Sequence, residues 1–108
     1  MNPQLKKGVL ELCVLHILLD DDSYGYDIID QLSANIDISE GTIYPMLRRF
    51  QKEERVKTYL RESSSGPPRK YYSITEEGRK YYEESVREWR ELIAAVEEIM
   101  KGKNNDTK

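Results

Sequence analysis

Within Ser39-Glu40-Gly41-Thr42-Ile43-Tyr44-Pro45-Met46-Leu47-Arg48-Arg49-Phe50, hydroxyl and guanidinium groups fall at helical spacing around an apolar spine. Ile43, Met46, Leu47 and Phe50 predict a core-facing stripe, which leaves Thr42, Pro45, Arg48, Arg49 and Lys52 pointing outward. A guanidinium offers a rigid fork of donors that can pair bidentately with a guanine edge or with phosphate. The hydroxyls of Thr42 and Tyr44 can donate to phosphate oxygens, and Gly41 permits close approach of a backbone. Base reading would rest mostly on Arg48. Charged helix faces are common, so this helix taken alone fits a solvated surface equally well.

A second cationic group follows at once. Val56 to Glu62 and Arg69 to Ile74 are strand-like runs joined by the turn-rich Ser63-Ser64-Ser65-Gly66-Pro67-Pro68. Arg61, Arg69 and Lys70 flank that turn and are candidates for phosphate or minor-groove contact; each by itself could also be a solubilising charge on a hairpin edge. In the first run Val56, Thr58 and Leu60 alternate with Lys57, Tyr59 and Arg61, predicting one packed face and one wet face. A helix able to enter a groove, followed by a basic hairpin able to grip the adjacent backbone, is the order of parts in a winged helix-turn-helix.

Little else in the chain points to chemistry. It has one His, one Cys, no Gly-rich phosphate loop after a strand and no metal-ligand spacing, so no enzyme activity, cofactor, metal or catalytic residue is expected. His16 lies inside an apolar run and reads as a core or interface histidine. Cys13 reads as a small buried thiol, with no second cysteine for an internal disulfide. Asp20-Asp21-Asp22 reads as a solvated helix terminus.

The fold class that positions these groups is mainly α with one small β-hairpin. A first helix from about Leu5 to Leu19 is ended by the three aspartates, and Asp22 or Ser23 is expected to cap a second from Tyr24 to about Ala34, with Ile28 and Leu32 inward. Asn35 to Ile38 forms the turn, its two isoleucines filling the space between helices. Ser39 is the expected N-cap of the third helix. Pro45 would remove a backbone bond there, so that helix is expected to begin later than Ser39 or to kink. Thr75 should cap a long fourth helix to residue 101, with Glu76 and Glu77 in its first turn and Gly78 where a capping box would carry Glu or Gln. On it Tyr82, Trp89 and Val96 fall seven apart, interleaved with Val86, Ile93 and Met100 as a heptad seam. Leu12 and Leu15 of the first helix join that seam as the expected dimer interface. Residues 1–74 would form the helix-hairpin unit, 75–101 the dimerisation helix, and 102–108 a disordered tail.

Charge supports this division. The whole chain carries 17 cations against 20 anions, a net −3 unlike that of a generic nucleic-acid binder. Residues 1–38 carry 2 cations and 7 anions (−5), residues 39–72 carry 8 and 4 (+4), and residues 73–108 carry 7 and 9 (−2). Positive charge is thus concentrated at the third helix and hairpin, and the acidic remainder should suppress indiscriminate binding to polyanions. The longest apolar run, Val9 to Leu19, is too short to cross a bilayer, and no secretory leader is evident; a reducing cytoplasm and no membrane partner are expected.

Four stretches resemble signatures of the PadR-like family of bacterial transcriptional regulators, in order and in spacing. They are Tyr24-Gly25-Tyr26-Asp27-Ile28, Gly41-Thr42-Ile43-Tyr44-Pro45-Met46-Leu47-Arg48-Arg49, Gly66-Pro67-Pro68-Arg69-Lys70-Tyr71-Tyr72 and Thr75-Glu76-Glu77-Gly78. The resemblance covers most of the chain. It implies a winged helix-turn-helix, a C-terminal helix that dimerises with the first helix, and repression at a near-palindromic operator. Candidate contacts to that double-stranded DNA are then Tyr24, Ser39, Gly41, Thr42, Tyr44, Pro45, Arg48, Arg49, Lys52, Arg61, Arg69, Lys70 and Tyr71. Some members bind flat aromatic molecules between the C-terminal helices, using a tryptophan whose place Trp89 matches by its distance from Thr75; a small aromatic effector is a corresponding expectation. Where the family often has Gly-Leu before the wing, this chain has Glu54-Arg55. The rival expectation is a winged-helix module that binds protein, with no sequence-specific DNA contact.

Overall fold

A computed structural model describes the backbone of residues 3–106 and the side chains of residues 6–102. Helix α1 (Pro3–Asp20) places Leu10, Val14, Leu15 and Leu18 on one buried face, with Cys13, Ile17 and Leu19 half-buried beside them. Leu15 has no exposed surface, so it belongs to the core of its own subunit and cannot be the dimer contact expected of it. Strand β1 (Ser23–Tyr24), not anticipated in the sequence, then leads into α2 (Gly25–Ser33).

The expected cap at Asp22 or Ser23 does not form, because Ser23 and Tyr24 are committed to a ladder with Tyr72 and Tyr71. Tyr24 takes the N-cap position of α2 with extended backbone and no side-chain cap bond. Asp22 instead accepts a 2.6 Å hydrogen bond from the Tyr59 hydroxyl. Ile28 and Leu32 of α2 are buried as expected, with Ile36 and Ile38 of the following turn packed against the core.

Helix α3 (Glu40–Lys52) buries Ile43, Met46, Leu47 and Phe50. It starts directly after Ser39 although Pro45 lies inside it, so the late start does not occur. The donor that Pro45 lacks would have served the carbonyl of Gly41, which is exposed and therefore open to water. Ser39 stands at the N-cap, but its hydroxyl meets Thr42 Oγ1 at 3.3 Å in place of a backbone N–H.

The end of α3 is closed by a Schellman arrangement. Glu54 N–H donates to Gln51 O at 3.0 Å and Arg55 N–H to Phe50 O at 2.8 Å, with Glu54 in the left-handed region at φ 62°. This is the position at which the resemblance implies glycine; here a glutamate takes the left-handed conformation and the turn closes.

Strands β2 (Val56–Ser63) and β3 (Gly66–Ile74) pair antiparallel and with β1 form a sheet in the order β1-β3-β2. They run further than expected: the ladder reaches Ser63 opposite Gly66, so Ser64 and Ser65 alone make the turn, with a register irregularity between Arg61 and Ser63. The expected packed face holds at Val56 and Thr58 but fails at Leu60, which is 70% exposed. By Leu60 the hairpin has projected beyond the core.

Thr75 caps α4 (Glu76–Asp106): its hydroxyl accepts from Gly78 N–H at 3.0 Å and donates to Glu54 O at 2.7 Å. A Cβ at residue 78 would overlap the carbonyl oxygen of Arg55, which explains why a capping-box Glu cannot stand there. Helix α4 packs on α1 and β3 and then projects. The radius of gyration of 17.0 Å exceeds the roughly 13 Å of a compact chain this long, and the longest dimension is 61 Å. The expected disordered tail is helical as far as Asp106, and its last two residues lie outside the described residues.

Candidate nucleic-acid interface

Arg48 is exposed on α3, one residue beyond the buried Leu47, because successive helical positions turn by about 100°. It lines a groove of about 650 Å³ between the helices and the hairpin, shared with Tyr24, Tyr26, Tyr44, Arg69, Lys70 and the residues of the wing tip. Among the described residues neither Arg48, Arg69 nor Lys70 forms a salt bridge. Three cations therefore converge on one concave surface without a carboxylate to neutralise them.

Tyr24, Tyr26, Tyr44 and Tyr72 line the groove, and a tyrosine stack on the hairpin adjoins it through Tyr24. Tyr59 and Tyr71, opposite one another in the β2–β3 register, stack at 5.8 Å with 19° between planes, and Tyr24 leans on Tyr71 at 5.6 Å. The Arg61 guanidinium carbon lies 5.0 Å from the Tyr71 ring centre and that of Arg69 lies 4.7 Å from Tyr24. At exposed sites such contacts contribute about 0.5–1 kcal/mol each. They hold each guanidinium against a ring, and among the described residues neither Arg61 nor Arg69 forms a salt bridge.

Tyr44 packs its ring over Gly25, where a Cβ would stand 2.5 Å from the tyrosine Cε1, and it meets Tyr26 edge-on at 6.2 Å. Burial first, and then the neighbouring Tyr26 and Glu40, push the Tyr44 hydroxyl above its ordinary pKa and keep it a donor. A side chain at residue 25 would thus have to turn the outer end of the Tyr44 ring aside.

The structure brings Tyr24, Tyr44, Arg48, Arg69 and Lys70 of the expected contacts to one groove. Ser39, Gly41, Thr42, Pro45 and Lys52 are exposed along α3 outside it, and Arg61 and Tyr71 belong to the tyrosine stack of the hairpin. Arg49 is placed differently: it is hydrogen-bonded and ion-paired to Glu11 of α1 and lies 3.9 Å from Glu53. Its guanidinium is directed toward α1, away from the groove. Sequence reasoning left out Tyr26, which lines the groove, and Tyr59, which joins the hairpin stack; the alternation of Lys57, Tyr59 and Arg61 on one strand face was the available signal for Tyr59.

At the other end of the molecule, Tyr82, Val86 and Trp89 of α4 face Val9, Leu12, Cys13, His16 and Ile17 of α1 across a cavity of about 350 Å³. His16 Nδ1 is 2.7 Å from the Tyr82 hydroxyl, so the histidine is partnered although exposed. Burial pushes the Cys13 thiol above its ordinary pKa. Beyond this cavity Ile93, Val96 and Met100 are exposed, and so are Leu92 and Ile99, at 63% and 72%. Those two form a third column, seven apart, that the expected two-column seam had left out.

Comparison with known proteins agrees with this architecture. The model of the transcriptional regulator PadR-like family matches residues 14–84. A crystal structure of a PadR-like transcriptional regulator from Bacillus cereus is 40% identical, with a TM-score of 0.81 over 90% of this chain and 96% of that one. An uncharacterised protein of Lysinibacillus sphaericus is 35% identical over 89% of this chain and 92% of its own length. The transcriptional regulator YqjI of Escherichia coli is 34% identical over 89% of this chain, which spans only 44% of that protein. With the groove, the wing and the long terminal helix in place, the chain belongs to the PadR-like family of transcriptional regulators.

Proposed function

We propose that this protein is a homodimeric repressor that binds a near-palindromic DNA operator through α3 and the β2–β3 wing. The observation that carries the reading is the convergence of unneutralised Arg48, Arg69 and Lys70 on one tyrosine-walled groove beside an exposed helix face. Arg48 reads base edges, Thr42 and Tyr44 donate to phosphate, and Arg61, Arg69 and Lys70 grip the backbone beside the wing. Dimerisation is supported by the apolar face of α4, where Trp89 and Val96, Leu92 and Ile99, and Ile93 and Met100 make three adjacent columns. A face of that width suits burial against more than one helix, so a second subunit would cover it with both its α4 and its α1. Two recognition helices are then presented to successive major grooves, about 34 Å apart.

A small planar aromatic effector is assigned to the cavity beside Trp89, where Tyr82 and His16 supply further ring faces. Its binding would shift the dimer between separations that fit the operator and separations that do not.

Titration of duplexes at several salt concentrations tests the DNA assignment. Arg48→Ala should lower affinity for the preferred sequence by about 1–3 kcal/mol and relax its choice, whereas Lys70→Ala should weaken all duplexes alike and flatten the salt slope. Weak binding, blind to sequence in the unaltered protein, would refute the assignment. For the effector, a varied panel of planar aromatics should include quenchers of Trp89 fluorescence.

A further inference from the structure

Arg49, drawn away from the groove, closes a ring of five side chains from three helices and a turn. Glu11 of α1 pairs through Oε2 with Arg49 Nη2; Arg49 Nη1 lies 3.9 Å from Glu53 Oε1; and Glu53 Oε1 lies 3.1 Å from Arg55 Nη1. The Arg55 guanidinium carbon sits 3.4 Å from the Tyr81 ring centre, and the Tyr81 hydroxyl returns to Glu11 Oε1 at 3.3 Å. Carboxylates and guanidiniums alternate from Glu11 through Arg49 and Glu53 to Arg55, so every charge has at least one opposite neighbour, and the neutral Tyr81 closes the ring between Arg55 and Glu11. The Arg55 carbonyl receives Thr75 N–H at 3.0 Å and stands where a Cβ at Gly78 would be, so α4 is seated on the same turn by its backbone as well.

Resting on the dimeric DNA-binding reading above, we propose that this ring sets the angle between the recognition helix α3 and the dimer-forming helices α1 and α4, which makes Glu11 and Tyr81 positioning residues that determine half-site spacing. The ring lies where the three helices meet. Neither Glu11 nor Tyr81 lines the basic groove. A tilt at the ring changes the direction and the separation of the two recognition helices across the two-fold axis, and one base pair of spacing corresponds to a rise of only about 3.4 Å. A small loosening therefore changes which spacings a dimer accepts without altering what each α3 reads.

The test uses the full chain and a duplex selected by the unaltered protein from a randomised pool. Affinity is measured for that duplex, for versions with one or two base pairs inserted or removed at its centre, and for a single half-site. In Glu11→Gln and Tyr81→Phe the preference for the selected spacing over the altered ones should fall by about 2- to 30-fold, with half-site affinity and salt slope unchanged. Tyr81→Phe removes one hydroxyl and carries the test if Glu11→Gln fails to fold. An unchanged spacing profile in a folded variant overturns the inference and leaves the DNA-binding reading intact. A uniform rise in affinity with a steeper salt slope also overturns it, since Arg49 would then merely have been released to phosphate. If the unaltered protein selects no duplex, the DNA-binding reading itself fails and the inference goes with it.

Discussion

Glu54 is where residue chemistry and backbone geometry are in open conflict. The left-handed region costs an L-residue about 1–2 kcal/mol, yet the Schellman bonds to Gln51 and Phe50 hold Glu54 there. Its side chain is exposed and, among the described residues, makes no salt bridge. Glu54→Gly should therefore stabilise the fold by up to about 1 kcal/mol, after the greater chain entropy of glycine is counted. A denaturant midpoint no higher than that of the unaltered protein would show that the turn draws some benefit from the glutamate. Tyr72 and Cys13 offer a second test, since burial raises both above their ordinary values of 10.0 and 9.0. Their neutral forms are favoured in the folded state, so the stability they contribute is complete below those ordinary values and is lost as pH rises through the folded ones. Melting temperature should decline from about pH 9 upward, and Tyr72→Phe should flatten the steeper fall beyond about pH 10.

Among the elements, the junction of α3, β2 and α4 is the most constrained. Thr75 bridges Glu54 O and Gly78 N–H, and Gly78 closes against the Arg55 carbonyl. The opposing group is backbone, which cannot rotate aside, so Gly78→Ala must displace the first turn of α4. A loss of about 1–3 kcal/mol is expected in chemical denaturation. An alanine that left stability unchanged would mean that α4 sits more loosely on the turn than the hydrogen bonds imply. The wing is held differently: its base is tied to the body by the Tyr59–Asp22 hydrogen bond and the tyrosine stack, while its tip carries Leu60 and the two-serine turn into solvent. That leaves the cations at its shoulders anchored and its end free to follow a surface.

The whole molecule is an unequal pair of parts, a small globular body and a 31-residue helix that extends past it. The uncovered columns of α4 make the monomer an incomplete object if the dimer reading holds. Leu92→Lys puts a charge into the centre of that face at a position already 63% exposed in one chain. It should leave the body folded and weaken dimerisation by about 3 kcal/mol, a hundredfold or more. Sedimentation at micromolar concentration checks this, and an unaltered mass would place the subunit contact elsewhere.

Local pattern identified the helices and the hairpin: an apolar run ended by three aspartates marks α1, Ile43 to Phe50 announce a buried face at helical spacing, a turn-rich stretch joins two strand-like runs, and Thr75 announces a cap. The segregation of cations to residues 39–72 was equally legible. Two-residue β1 was not: so short a strand carries no pattern of its own and exists only because β3 lies beside it. Leu60 reversed its expected environment because alternation marks a face but not where the core ends, and Leu15 lies in the core of its own subunit because an apolar run all round a helix does not say which side packs inward. Arg48 and Arg49 are chemically identical neighbours in the chain. Their separation into a groove cation and a member of the Glu11 ring was decided by tertiary structure, because only the packing of α1 across α3 brings a carboxylate to one of them and not to the other.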